Sequence, residues 1–254
     1  MHKRIIARLD VKGDNVIKGI QMEGLRVMGS IEDLARRYYS SGVSEILILD
    51  AVASLYGRQA IVRAIRSATA DVFVPVTVGG GIRSLVDATE LFEAGADRVA
   101  LNSAAMMNPG LFSEIANVYG SQAVVASIEA KRVGRSTWNC FTETGRQDSG
   151  IDVNTWISRL DAAAVGELLV TSVDFDGTKK GPDLELLDAI AGETSLPIVY
   201  SGGIRSVEDS LAVLKRDEIT GVALGSALHY QLLEAKEIQD GNVNSGFSLP
   251  EVLP

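Results

Sequence analysis

Gly80-Gly81-Ile82-Arg83-Ser84 recurs 122 residues later in the chain as Gly202-Gly203-Ile204-Arg205-Ser206. Three further pairs of segments repeat in the same order at spacings of 119 to 123 residues: 5–12 with 124–131, 45–48 with 167–170, and 99–104 with 222–227. A period this long indicates a duplicated half-domain rather than a solenoid repeat. The sequence therefore predicts two similar halves, at about residues 1–120 and 121–238.

Each half contains four short runs of apolar and β-branched residues, at 4–9, 45–49, 74–78, 98–101, 124–128, 167–171, 197–200 and 221–224. Such runs are typical of strands buried on both faces of a parallel sheet. Segments with helical spacing follow them, as at 31–41, 85–94 and 207–214. The predicted fold is therefore one α/β domain over residues 1–254, a (βα)8 TIM barrel with internal half-barrel duplication and a loose tail at 239–254.

Composition limits the classes of function. The 33 acidic and 24 basic residues give a net charge of -9, which argues against a nucleic-acid partner. The single cysteine, Cys140, excludes an intrachain disulfide and fits a cytoplasmic protein. No apolar stretch approaches the roughly 18 residues that would suggest a membrane span. His2 and His229 are too few for a His-rich metal site, and no cofactor-binding motif is present, so neither metal nor cofactor is expected.

Two carboxylates fall where a barrel enzyme carries its chemistry, at the C-terminal ends of strands. Asp10 follows the first predicted strand and Glu129 the fifth, so we expect them to face each other across the mouth. Carboxylates on two sides of one substrate suit general acid/base catalysis. The competing interpretation is that each caps a helix or pairs with the nearby Lys12 or Lys131.

Glycine-rich turns follow four of the strands and are related by the duplication. They contain Gly80, Gly81, Asn102 and Ser103 in the first half, and Gly202, Gly203, Gly225 and Ser226 in the second. Glycine lets backbone N–H groups approach an anion, and an adjoining helix N-terminus adds its dipole. Glycine also simply permits tight turns. Two such sets predict an elongated substrate with a phosphate at each end.

The segment 171–178 after the sixth strand carries Thr171, Asp176 and Gly177, which we expect to orient the substrate or bind phosphate. A plain turn rich in Asp and Gly is the alternative. Lys18, in the long loop predicted after the first strand, is expected to reach the substrate when that loop closes. A surface lysine is the default alternative.

Charged residues also begin four of the strands: Arg4, Glu45, Arg98 and Glu167. All four are expected near the opposite opening of the barrel, where two positive and two negative side chains can form a closed ring of salt bridges. The alternative is that these charged side chains only contact water at the N-terminal face of the barrel, where residues contribute to stability rather than catalysis.

These residues resemble the cyclase subunit of imidazole glycerol phosphate synthase. The resemblance runs from Lys3 to about Tyr230 and is carried by segments 3–12, 78–83, 120–125 and 176–178. The isomerase of histidine biosynthesis shares the duplicated barrel and is the near competitor. Segments 4–6 and 120–122, with Glu45 and Glu167, are more similar to the cyclase.

The resemblance implies a partner glutaminase docked on the N-terminal face of the barrel, with Asp97 and Gln122 toward it. Ammonia would pass the charged ring, acting as a gate, and reach a bisphosphorylated ribulosyl substrate. Asp10 and Glu129 would then be the catalytic carboxylates. The implied products are imidazole glycerol phosphate and an aminoimidazole ribotide.

The chain departs from the family at several places. Glu129 stands where the family has aspartate, Arg8 replaces a small residue, the turns at 201–205 and 225–227 look more like the isomerase, and the tail after Tyr230 does not match the family's usual last helix. The extra methylene of glutamate moves the carboxylate, and a displacement of a catalytic group by about 1 Å can lower the rate on the order of 10²-fold. These departures resemble a paralogous branch that supplies ammonia for acetamidino sugars of bacterial surface polysaccharides. The leading hypothesis is the cyclase; that paralogue, an isomerase and a non-catalytic scaffold remain alternatives.

Overall fold

Eight parallel strands of buried apolar residues close into a barrel in the computed structural model, which describes residues 3–52 and 58–242. The barrel order is β1-β4-β5-β6-β7-β10-β11-β12, and pairing of Arg4 with Gly221 closes it. This confirms the predicted (βα)8 barrel. In chain order the strands are β1 (Arg4–Lys12), β2 (Asn15–Ile20), β3 (Glu23–Ser30), β4 (Glu45–Asp50), β5 (Val76–Gly79), β6 (Arg98–Leu101), β7 (Val124–Gly134), β8 (Thr137–Thr142), β9 (Gln147–Asp152), β10 (Glu167–Ser172), β11 (Ile198–Ser201) and β12 (Ile219–Leu224).

Helices follow the barrel strands and cover them. Several begin at a side-chain cap, as where the Ser30 hydroxyl accepts from the Asp33 N–H at 3.1 Å. No helix within the described ranges has the length and apolar character needed to cross a membrane. The helices are α1 (Ile31–Ser40), α2 (Arg58–Thr69), α3 (Leu85–Glu93), α4 (Ser103–Met107), α5 (Gly110–Tyr119), α6 (Val153–Leu160), α7 (Leu184–Ile190), α8 (Val207–Leu214), α9 (Ser226–His229) and α10 (Ala235–Asn242), with a 3-10 turn at Ser121–Ala123.

Two β-hairpins, β2–β3 and β8–β9, lie between the first strand and the first helix of each half, and the first hairpin occupies the segment predicted as a loop. Each is paired with an extended first strand of its half, β1 or β7. The prediction that Lys18 lies in a loop is therefore wrong: it is on β2, with a side chain 2 % exposed. The first hairpin has a weak signature in the sequence, because no residue of β3 is buried and five of its residues are exposed.

The predicted loose tail begins as a helix. Residues 239–242 belong to α10, which Ala235 and Ile238 anchor by complete burial. Gln239 also donates from Nε2 to the Gly42 carbonyl at 2.8 Å. The tail's first four residues are thus ordered by packing, and residues 243–254 lie outside the described ranges.

The alternation of side chains along β1 sorts its residues between two apolar layers. Ile5 and Leu9 join the core between sheet and helices, whereas Ile6 belongs to a smaller cluster inside the barrel. Successive side chains of a strand point to opposite faces, so Arg8 and Asp10 share the interior face with Ile6. The rest of the interior cluster is Leu47, Ala100, Val125, Leu169, Val199 and Ala223. One strand thus carries charged side chains above a thin apolar layer.

Shortening a buried core side chain should lower the free energy of unfolding far more than shortening an exposed side chain of a hairpin. Ile48 of β4 is fully buried, and Ile48→Ala should lower the free energy of unfolding by about 2–5 kcal/mol. Ile20 of β2 is 60 % exposed, so Ile20→Ala should change it by less than about 0.5 kcal/mol. Urea unfolding of both variants measures the contrast, and equal costs would contradict this assignment of the core.

Candidate active site

The larger cavity at the mouth of the barrel brings the two predicted carboxylates together. It has a volume of about 160 Å³ and lies at the C-terminal ends of the strands. Asp10 of β1 and Glu129 of β7 both line it. Their neighbours in its wall include the first predicted set of phosphate-binding residues, Gly80, Gly81, Asn102 and Ser103.

A smaller cavity, of about 20 Å³, contains the second set of predicted residues. It is lined by Asp176, Gly177, Gly202, Gly203, Gly225 and Ser226, among others. This volume holds about one water molecule. The Ser226 hydroxyl in its wall is buried and has no hydrogen-bond partner among the described residues. A donor is therefore available there for an anion.

The two glycine turns share one backbone conformation. Gly80 and Gly202 have φ of 100° and 125°, and Gly81 and Gly203 have φ of 67° and 76°. Side chains are disfavoured at such angles. A Cβ at Gly203 would also lie only 1.9 Å from the Gly181 carbonyl oxygen. Glycine is thus required here by the turn itself, whatever ligand the turn binds.

Four charged side chains connect the two cavities. The Arg8 Nε and the Lys18 Nζ each donate to one oxygen of Asp10, both at 2.8 Å. Lys18 also donates to both oxygens of Asp176, at 2.9 and 2.8 Å. The positive and negative groups alternate, so each buried charge has an opposite partner.

The surroundings of Asp10 favour its charged form. Burial opposes ionisation, but the charges of Arg8 and Lys18 outweigh it and hold the pKa of the carboxyl well below its usual range. Burial likewise opposes the charge of Lys18, and Asp10 and Asp176 outweigh it, so its pKa is raised. Asp10 is accordingly an anion at any pH near neutral.

Glu129 is in the opposite situation. Burial raises the pKa of its carboxyl to about 7, against the lowering effects of the Gly145 N–H, the Arg8 charge and the Asn102 side chain. Its Oε2 accepts from the Gly145 N–H at 2.7 Å. A carboxyl with this pKa can act either as acid or as base near neutral pH.

The tips of the two hairpins meet above the mouth. The Gln21 N–H on the first tip donates to the Asp176 carbonyl at 2.7 Å, and Gly145 on the second contacts Glu129. A Cβ built on Gly145 would lie 3.2 Å from the Met22 sulfur, so the tips are close to contact. Glu143 and Thr144 adopt positive φ of 53° and 61°, which side chains rarely do. The two hairpin tips therefore lie over the mouth of the barrel, the first bonded to Asp176 and the second to Glu129.

The four charges at the opposite opening form a closed ring. Arg4 bonds to Glu45 at 3.0 Å and also to Glu167, while Arg98 bonds to Glu167 at 2.7 Å and also to Glu45. The glutamate side chains are 4 % and 9 % exposed, so they are nearly desolvated. The interior apolar cluster lies directly above this ring.

Asp97 and Gln122 are both exposed on the same end of the barrel as the ring. Asp97 immediately precedes β6 and accepts from the Val76 N–H at 2.8 Å. Gln122 lies in the turn before β7 and donates from Nε2 to the Tyr119 carbonyl at 3.0 Å. Both side chains are thus held in place at a surface that a second protein can reach.

Sequence reasoning missed two contributors to the site. The resemblance marks Arg8 only as a departure from the family. Its alternation with Arg4, Ile6 and Asp10 along the strand is the signal that places it inside the barrel. Gly145 was missed with its hairpin. Thr171 binds Arg8 rather than standing free, since its Oγ1 accepts from Nη1 at 2.9 Å. No cluster of three or more His, Cys, Asp or Glu suited to a metal occurs in the described part of the chain.

Comparison with known proteins matches this chain to one family. The family model described as "Histidine biosynthesis protein" matches residues 4–234. The chain is 48% identical over 206 residues to the imidazole glycerol phosphate synthase subunit HisF of Legionella pneumophila, covering 81% of this chain and 97% of that protein. The HisF subunits of Streptococcus mutans and Dictyoglomus thermophilum are 40% and 39% identical over 91% and 93% of this chain, and over 92% and 94% of their own lengths.

Removing one cation from the ring should destabilise the fold. Arg98→Ala leaves two nearly buried glutamates with Arg4 alone, so the free energy of unfolding should fall by about 3 kcal/mol. Arg216→Ala breaks a pair with Asp188, whose side chain is 69 % exposed, and should cost less than about 1 kcal/mol. Urea unfolding compares the two, and a ring variant as stable as the control would show that the ring is solvated.

Proposed function

This chain belongs to the histidine biosynthesis protein family, among the imidazole glycerol phosphate synthase HisF subunits, and we propose that it performs the ammonia-dependent cyclase reaction of that synthase. The substrate is a bisphosphorylated ribulosyl aminoimidazole precursor. The products are imidazole glycerol phosphate and aminoimidazole ribotide. The carbon–nitrogen chemistry takes place in the larger cavity at the mouth of the barrel.

The observation that carries this proposal is the meeting of Asp10 and Glu129 in one cavity, between two glycine-rich turns of the same conformation. The ionised Asp10 carboxylate stabilises positive charge that develops on the substrate. Glu129 can transfer a proton near neutral pH. The cavity therefore offers two different carboxyl functions to one substrate.

Phosphate binding follows from the two turns at either side. One phosphate would bind beside Gly80, Gly81 and Ser103, and the other beside Gly202, Gly203 and Ser226. Backbone N–H groups of such turns suit an oxyanion. The second pocket has about 20 Å³ of free space, and β2 lies beside it through Lys18 and Gly19.

Ammonia would enter from the ring. The partner is a glutaminase subunit on the N-terminal face, where Asp97 and Gln122 are exposed. Neutral ammonia passes the apolar interior layer more easily than ammonium, because a charge pays a desolvation cost there. The ring and the apolar layer together thus favour the uncharged nucleophile.

The relatives reported above carry the name of imidazole glycerol phosphate synthase, and the role in acetamidino-sugar formation is not favoured by them. Neither is the isomerase. A non-catalytic scaffold would bind the glutaminase without turning over substrate, so turnover by the purified chain distinguishes an enzyme from a scaffold.

The purified chain should turn over the bisphosphorylated cyclase substrate with ammonium salt at alkaline pH, measured as loss of substrate absorbance. Free ammonia bypasses the glutaminase, so the chain is tested alone. Asp10→Asn should lower kcat by about 10²-fold or more, because the fixed anion in the cavity is lost. Asp71→Asn, at an exposed pair with Arg36, is the control and should keep full activity. Absence of turnover in the native chain would remove the cyclase proposal.

A second prediction concerns the partner surface. Asp97→Lys reverses a charge beside the ring and should weaken binding of the synthase glutaminase by about tenfold. Glutamine-dependent turnover should fall at limiting glutaminase, while turnover with ammonium salt stays unchanged. Glu114→Lys, at an exposed position within α5, is the matched control. Equal loss with both nitrogen sources would mean that Asp97 acts on the barrel and not on the partner.

A further inference from the structure

Arg8 is buried inside the barrel, and its guanidinium reaches side chains on three strands. Its Nε donates to Asp10 Oδ1 at 2.8 Å, and its Nη1 donates to the hydroxyls of Thr171 and Ser201 at 2.9 and 3.1 Å. The side chain is 4 % exposed. Since Thr171 and Ser201 belong to β10 and β11, moving Arg8 away from Asp10 would break contacts with two other strands. Arg8 is therefore a fixed part of the barrel interior.

Asp10 has a cation on each of its two oxygens. Arg8 occupies Oδ1 and Lys18 occupies Oδ2, both at 2.8 Å. Lys18 belongs to the hairpin strand β2, whereas Arg8 belongs to β1, the strand that carries Asp10 itself. Charge-assisted hydrogen bonds of this kind favour the ionised form of the carboxyl over the protonated form. Asp10 thus keeps at least one cation whatever the hairpin does.

Glu129 lines the same cavity but is held differently. It accepts a hydrogen bond from the neutral Gly145 N–H at 2.7 Å, and no residue in the described ranges forms a salt bridge with it. Burial brings its pKa to about 7. Its carboxyl is free to exchange a proton with a substrate in the cavity.

We propose that Arg8 is a positioning residue that holds Asp10 as a permanent anion and leaves Glu129 as the carboxyl that gives and takes the proton, a division that rests on the function proposed above. Asp10 then supplies a negative charge without titrating. When ammonia adds to the carbonyl carbon of the ribulosyl group, the C–N bond forms as the C=O π bond breaks. Glu129 gives its proton to that oxygen and takes one from the added nitrogen, so the carboxyl ends the step as it began.

Other charged and titratable side chains face this part of the barrel from every neighbouring element. His229 lies close enough to Asp10 and Lys18 to interact with their charges. Burial and the charge of Lys18 lower the pKa of its imidazole to about 4, so His229 is uncharged near neutral pH. Among the described side chains, the remaining charged groups that line the cavity or adjoin Asp10 are Asp50, Arg83, Glu143, Lys18 and Asp176. An assignment of the neutral-range proton to Glu129 therefore has to be made by a site-resolved measurement.

Carbon-13 NMR of labelled Asp and Glu carboxyls reports each titration directly, with Asp10→Asn and Glu129→Gln assigning the signals. In the native chain, Glu129 should titrate with a midpoint near 7 and Asp10 should stay ionised wherever the fold is stable. In Arg8→Ser, the midpoint of Glu129 should move upward and that of Asp10 should rise, because both lose a positive neighbour. Arg8→Lys keeps the charge and should restore both toward the native values.

Turnover is then followed against pH with the concentration of free ammonia held constant. The ionisation near 7 should be present in native kcat/KM, move with the NMR midpoint in Arg8→Ser, and disappear in Glu129→Gln, whose rate falls by about 10²-fold or more. Titration of Asp10 in the neutral range of the native chain, or unchanged midpoints in a folded Arg8→Ser, would overturn the proposal. Loss of turnover alone, with the titrations as expected, would count against the cyclase reaction and support the assignment of proton states.

Discussion

A closed parallel barrel must pair every charge that its strands carry inside, and this requirement organises the whole molecule. Removing an ion from water costs several kcal/mol, which only close opposite charges and hydrogen bonds offset. The chain meets the requirement twice, with the ring that contains Arg4 at one opening and the network that contains Arg8 at the other. The apolar layer that contains Ile6 separates them. Each charged layer is consequently complete in itself, and the interior has two polar ends and an apolar middle.

The duplication repeats the backbone far more faithfully than it repeats the chemistry. Both halves carry a hairpin after the first strand, and both have a glycine turn with the same pair of positive φ angles. Asp10 and Glu129 occupy equivalent places in the two halves, yet Asp10 contacts two cations and Glu129 a backbone N–H. Arg8 is one cause, since its equivalent in the second half is the small Ser127, and Lys18 of β2 is the other. Two cationic side chains in the first half therefore give a duplicated scaffold two unlike carboxyls.

The barrel can be predicted from the sequence because each of its strands contains a short buried run of mainly apolar residues, as in β4. The same local rule could not find β3, which is exposed along most of its length and owes its conformation to pairing with β2. The positions of Asp10 and Glu129 followed from strand ends alone. Their different protonation did not, because it depends on contacts such as Arg8 with Thr171, which are 163 residues apart.

Lys18 links the state of the hairpin to the state of the second cavity. Its ammonium is bound to Asp176, and a Cβ built on Gly225 would lie 3.6 Å from its Nζ, so Lys18 already stands beside the turn where a phosphate would bind. A phosphate entering there competes with Asp176 for the same ammonium. Since phosphate carries more negative charge than a carboxylate, it can draw Lys18 away without leaving the lysine unpaired. If Lys18 turned fully toward the phosphate, Arg8 would remain as the cation bound to Asp10.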